Sequence, residues 1–345
     1  MDNVEKMYRL SWLMHQGINN GLVKNGLLDR HWLDLYYRLK KSDVNSKDLV
    51  ERKLDFDTKR FFRNMFDFLE FYYYNLPAIS GDLEALLLDL YKCKSMWSLV
   101  WITGSLGDGT FKLGWSDVDI FLVITENALK YPLKFSLCYD LWMKRIAAIA
   151  GFQIHGIFIA TDVIYKLLIE KFLPIFTLDR GVILSDEDKV DVVFDKQFIH
   201  RSRANYFMND IVKGLRAVSD GDTLWDRIMF IHRIYSFPFS YLQWKGLDVS
   251  KKESFAVFRQ YSKEAVEVME YTYNDMLGTL RKPKELQFVG NVIGYLPLGW
   301  YYKARLLYKF RSHITCFKET IDAVYSELFA KVFPVLKDIM DGELV

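Results

Sequence analysis

The chain has 345 residues, 51% of them hydrophobic and 16% aromatic, and its 46 Lys and Arg against 44 Asp and Glu leave a formal charge of +2. That length predicts two or more domains, and the apolar content is ample for packed cores and unlike that of a disordered chain. The near-zero charge argues against a large non-specific grip on nucleic acid, leaving room for a local basic groove only.

Three widely spaced cysteines, Cys93, Cys138 and Cys316, form no C-x-x-C and no metal-ligand spacing, so they are expected to be reduced and mostly buried. No charged-then-apolar leader opens the sequence. The most apolar stretch, residues 146–160, is interrupted by Gln153 and His155 and is too short for a bilayer. The expectation is a soluble, cytoplasmic protein with no membrane partner.

Residues 1 to about 95 carry helical signals. An amphipathic stripe of Phe61, Phe62, Met65, Phe66, Leu69, Tyr72 and Tyr73 predicts a helix over 57–74. Pro77, Ser80 and Gly81 are expected to break it, with Asp82 capping a second helix to about 94. From residue 98 the texture becomes short β-branched and aromatic runs separated by glycine. Strands are expected at 99–103, 118–125, 152–160 and 181–185, with a fifth candidate at 190–194. Helices are expected between them at 133–150 and 162–172. This is an α+β pattern with a small mixed sheet.

After residue 197 strand signals stop, and helices are expected at 197–218, 223–244, 263–280 and 317–340. Thr223 with Asp226 reads as a capping box. The division is therefore an N-terminal helical segment (1–95), an α+β domain (96–196) and a C-terminal helical domain (197–345). The helical domain is expected to form the other wall of a cleft.

The stretch from Gly104 to Ile120, GSLGDGTFKLGWSDVDI, lies between the apolar runs 99–102 and 121–124. Gly104 admits close backbone approach, Ser105 adds a hydroxyl, and Gly107 and Gly109 let the turn wrap an anion in backbone N–H groups. Asp117 and Asp119, at period two, project from one face of a strand, while Val118 and Ile120 take the other. Two adjacent carboxylates repel unless a dication joins them, and hard oxygen ligands suit Mg²⁺ or Mn²⁺. A glycine loop beside a carboxylate pair points to a nucleoside triphosphate, with ATP the expected one.

Glycine-serine, the eleven-residue gap, D-V-D and the flanking strands together resemble the DNA polymerase β-like nucleotidyltransferase superfamily, in particular its small-molecule and antibiotic nucleotidyltransferases. The resemblance covers about residues 97–190, including the segment Ile175–Leu184, IFTLDRGVIL. It implies a nucleotidyltransferase fold and transfer of a nucleoside monophosphate from a triphosphate to a hydroxyl of a small-molecule acceptor, with release of pyrophosphate. Asp117 and Asp119 would ligate the metal. Gly104, Ser105, Gly107, Gly109 and Ser116 would belong to the nucleotide site, with Asp108 and Lys112 as loop residues that touch the triphosphate or solvent. Asp108 stands where such loops often carry arginine.

The departure from the pattern is a missing third carboxylate. The expected third strand, 152–160, contains no Asp or Glu, and His155 or Gln153 takes the place by pattern. A neutral imidazole serves as a general base but is a poor Mg²⁺ ligand. Three alternatives follow: His155 as base, Asp162 or another acid reaching in, or a protein that binds nucleotide without transferring it. Transfer to protein, RNA or a second nucleotide shares the same loop. In the helical half, Arg227 and His232 spell the spacing of RNA-cleaving HEPN domains. Five helical steps rotate the two side chains about 140° apart, and Ile228 and Ile231 already explain the segment as core.

Overall fold

The computed structural model describes residues 33–34, 36–37, 57–150, 157–162, 181–185, 208–217, 223–247, 249–280, 306 and 315–343. The chain divides into two compact units, one of Met1–Leu173, Thr177–Val193 and Gln287–Ala304, the other of Pro174–Phe176, Phe194–Leu286 and Arg305–Val345. Among the described residues no helix is long and apolar enough to cross a membrane.

The first unit opens on α1, Thr58–Asn75, whose N-cap Asp57 accepts from the amides of Lys59 (2.8 Å) and Arg60 (3.3 Å). These amides hold the Asp57 carboxyl below the usual carboxylate range. Phe61, Met65, Phe68, Leu69 and Tyr72 are buried along α1. Phe66 and Tyr73, expected in that stripe, are instead exposed, which narrows the core face.

The second helix, α2 (Pro77–Lys92), begins at the proline rather than after it. Proline at the first helical position lacks only an N–H that has no partner there anyway. Ser80 and Gly81 lie inside α2, the serine hydroxyl donating to the Pro77 carbonyl at 2.9 Å.

A 3₁₀ turn, Lys94–Met96, leads into β1, Trp97–Thr103. A single turn, α3 (Gly104–Gly107), follows, then β2 (Asp119–Ile124), α4 (Glu126–Lys130), α5 (Pro132–Ile149), β3 (Phe158–Thr161) and β4 (Val182–Ile183). The sheet order is β3-β2-β1-β4, with β1 antiparallel to β2 and β4 and β2 parallel to β3. It is a small mixed sheet with flanking helices, as the alternation of runs predicts. The two central strands are buried on both faces, which explains their unbroken apolar sequence. Of the helix expected at 162–172 only Asp162 is described, as a turn, and the rest of it and the fifth strand lie outside the described residues.

Helices α2 and α5 pack together. Asp89, buried on α2, accepts from Arg145 Nε of α5 at 3.0 Å and from Lys92 Nζ at 2.8 Å. Beside this pair Cys93 and Cys138 form a disulfide, their Cα atoms 6.4 Å apart. The expectation of three reduced cysteines is therefore corrected: a separation of 45 residues carries no pairing signal until the two helices meet. The thiol argument for a cytoplasmic location goes with it.

The second unit is helical wherever it is described. Residues 208–217 are helical, followed by α6 (Leu224–Trp244), α7 (Lys251–Phe258), α8 (Lys263–Leu280), α9 (Thr315–Lys331) and α10 (Phe333–Glu343). Thr223 and Asp226 form the predicted capping box, and Ser250 and Glu253 form a second one that opens α7. The single helix expected over 317–340 is divided at Val332, because Pro334 supplies no N–H for a bond to the preceding turn and its ring crowds the carbonyl four residues back. Many aromatic residues here are core, Phe230 packing on Tyr325, Phe329 and Phe333, and Tyr241 on Phe237, Phe258 and Tyr261, whereas Tyr271 is exposed.

Candidate functional site

The site lies at the end of the sheet where β1 leaves and β2 enters. The antiparallel register sets Thr103, the last residue of β1, opposite Asp119, the first of β2. Directly opposed residues project from the same face. Through the approach to β2 burial alternates: Val118 and Ile120 are wholly buried, while Asp117 and Asp119 are partly exposed. Asp119 opens β2 and Asp117 lies two residues before it, and both are partly exposed rather than in a dry interior.

Gly104 follows Thr103 with φ +61°, a left-handed conformation that favours glycine. A Cβ at Gly104 would lie 2.1 Å from Asp119 Oδ2 and 3.0 Å from its Cγ, so the carboxylate rests on the bare glycine backbone. Glycine is required here by both dihedral and space. Ser105, partly exposed, is the next residue of α3.

Gly107 has a different constraint. A Cβ there would come within 2.5 Å of the Ile102 carbonyl oxygen and 3.3 Å of Gly181 Cα, so the turn packs tightly on β1 and on the lead-in to β4. Asp108 folds the loop upon itself, its Oδ1 accepting from the Thr110 amide (2.9 Å) and hydroxyl (2.6 Å). Gly109, at φ +74°, lies under Phe71, whose Cζ would be 2.8 Å from an added Cβ. The Lys112 amide donates to Ser116 Oγ at 2.9 Å, and the Lys112 carbonyl accepts from the Trp115 and Ser116 amides, closing a turn just before Asp117. The side chains of Phe111 and Trp115 are buried and anchor this loop.

Sequence reasoning missed the contribution of α1. Tyr72, 1% exposed, donates its hydroxyl to the Leu106 carbonyl in α3, and Phe71 covers Gly109. Burial, with the Asp108 charge nearby, pushes the Tyr72 phenol well above its ordinary pKa, so it stays protonated and remains a donor. Asn64 Nδ2 of the same helix donates to the Ile183 carbonyl at 3.0 Å, tying α1 to β4. In sequence, Tyr72 is one more member of an apolar stripe, and nothing local marks its hydroxyl.

His155 and Gln153 lie outside the described residues. Asp162 is described, and it stands at the wrong end. Because β3 runs parallel to β2 with Thr161 beside Ile124, Asp162 is five strand residues or more from Asp119, roughly 17 Å. Its Oδ2 accepts from the Tyr36 hydroxyl at 3.4 Å. The alternative in which Asp162 completes the site is excluded by this register. Arg227 of the helical unit donates to Asp322 at 2.6 Å and lies 5.4 Å over the Tyr325 ring, a half-buried link between two helices.

Among the described residues no group of three or more His, Cys, Asp or Glu side chains is disposed to hold a metal. The pair Asp117 and Asp119 nonetheless fits a magnesium or manganese ion. Such ions take one or two carboxylates and complete their shell with water and substrate phosphate, which is the chemistry these two hard oxygen donors offer. Comparison of the chain with protein-family models, with curated proteins and with solved structures returns no match.

Proposed function

We propose that the protein is a Mg²⁺-dependent nucleotidyltransferase of the DNA polymerase β-like type, moving a nucleoside monophosphate from a triphosphate, ATP being the expected one, to a hydroxyl of a small-molecule acceptor. The observation that carries the reading is the packing of Asp119 on the left-handed Gly104, beside Asp117 and the Ser105 turn. The motif sets two acids two residues apart at the start of a strand, and Gly104 lies directly against the second of them. The small mixed sheet with flanking helices supports this reading at the level of fold class.

In this reading Asp117 and Asp119 hold the cation, while Ser105 and the turn that follows orient the β- and γ-phosphates. When bound, the cation neutralises the triphosphate and the departing pyrophosphate. The chain's own contribution is positioning: α1 fixes the turn through Tyr72 and Phe71, and the 112–116 turn fixes where Asp117 leaves the loop. The acceptor hydroxyl must still lose a proton. With no acid in 152–160 and Asp162 at the far end, His155 is the residue assigned to take it.

That same absence favours a second reading, a protein that binds nucleotide without transferring it. Titration calorimetry of ATP with and without Mg²⁺, on the parent and on Asp119→Asn, tests the shared premise. Metal-dependent binding in the parent should weaken by on the order of a hundredfold in the variant. Equal binding in both contradicts it. Pyrophosphate release over a panel of hydroxylated acceptors, lost in Asp117→Ala, then separates transfer from mere binding.

A further inference from the structure

Thr103 is the last residue of β1, 1% exposed, and its Oγ1 has no hydrogen-bond partner. A buried hydroxyl left in that state is destabilising, and such groups call for a reason. The ordinary outlet is closed to it. Thr103 is the N-cap of α3, with extended backbone (φ −122°, ψ −172°), a position where threonine oxygen commonly accepts from a first-turn amide, yet its side chain makes no such bond. Other buried polar atoms without partners occur in this unit, at Trp101, Trp142 and Thr161. Trp101 faces Phe121 and Thr161 faces Ile124 across the sheet, whereas Thr103 faces Asp119.

Directly opposed residues in an antiparallel pair hold their Cβ atoms about 4.5–5.5 Å apart, within reach of a hydroxyl and a carboxylate. The Asp119 carboxylate rests against Gly104, the residue that follows Thr103. A carboxylate has two oxygens, each able to accept more than one hydrogen bond, so one can face an ion while the other accepts from a hydroxyl. Hydroxyl and carboxylate are thus adjacent along the chain and across the sheet.

We propose that Thr103 is a positioning residue for Asp119, its O–H donating to the carboxylate oxygen that does not face the cation when Asp117 and Asp119 hold a divalent ion. The inference rests on the nucleotidyltransferase reading and deepens it by naming the outer partner of a metal ligand. Such partners fix ligand orientation, and their removal commonly weakens metal affinity about 10- to 100-fold. A hydroxyl that serves only the loaded site contributes nothing to the metal-free fold. Thr103→Val, of the same shape, should therefore leave metal-free stability unchanged or higher.

The test uses the full chain, Mn²⁺ with a non-hydrolysable ATP analogue, and electron paramagnetic resonance to count free ion, alongside thermal melts without metal. Thr103→Val is expected to weaken Mn²⁺ binding about tenfold with a metal-free Tm equal to or above the parent's. Thr103→Ser, which keeps the hydroxyl, is expected to restore the affinity. Parent-like Mn²⁺ affinity in Thr103→Val overturns the inference alone, as does a lowered metal-free Tm in that variant or a failure of Thr103→Ser to rescue. A parent that takes up no Mn²⁺ overturns the functional reading and this inference together.

Discussion

The two ends of the small sheet hold acids of similar number in different company. At the end where β2 finishes, Glu126 accepts from Tyr37 and forms an ion pair with Lys130 at 2.5 Å, and Asp162 accepts from Tyr36. The Glu126 hydrogen bond raises the Tyr37 phenol and burial raises Tyr36, so both keep their protons. At the end where β2 begins, Asp117 and Asp119 lie two residues apart, and what packs against the Asp119 carboxylate is bare glycine backbone. Polar side chains bonded to one another stabilise the fold at one end. At the other, the left-handed Gly104 lets backbone come up directly against the Asp119 carboxylate.

Four substitutions test this contrast. Gly104→Ala should have the largest effect, since it combines a left-handed backbone with a Cβ 2.1 Å from Asp119 Oδ2. A stability loss of about 2 kcal/mol or more in denaturant titrations is expected, with metal-dependent nucleotide binding lost as well. Gly81→Ala is the comparator: nothing lies within 4 Å of a Cβ in α2, and alanine there should stabilise by about 0.5–1 kcal/mol.

Tyr72→Phe comes next. It leaves the Leu106 carbonyl without its donor, at a cost of about 1–3 kcal/mol, and should raise the Kd for nucleotide because the turn it braces lies in the site. A stability loss with unchanged nucleotide affinity would confine α1 to a structural part. Asp162→Asn should do least: stability within about 0.5 kcal/mol of the parent and calorimetric binding of Mg²⁺ and ATP unchanged. Lost binding in that variant would move the site to the wrong end of the sheet.

Local signals were legible where local physics decides. Thr223 and Asp226 form their box, and α8 has its predicted bounds, Lys263–Leu280. The β1 and β2 runs read as buried strands because both of their faces are apolar, and the alternation of Asp117, Val118, Asp119 and Ile120 appears as written. Proline misled twice: Pro77 starts a helix where a break was expected, and Pro334 divides one expected as continuous.

What the sequence hid depends on contacts between distant segments. The Tyr72 hydroxyl meets Leu106 from 34 residues away, Cys93 finds Cys138 only once α2 and α5 pack, and Thr103 acquires its neighbour through strand register. Each of these side chains reads as ordinary core until the chain is folded.

The most direct test is a crystal structure with Mn²⁺ and a non-hydrolysable triphosphate, using anomalous scattering to locate the ion. The account predicts a peak within bonding distance of both Asp117 and Asp119, with phosphate oxygens against the turn that begins at Gly104. A triphosphate bound elsewhere, or no ion between those two carboxylates, would contradict it.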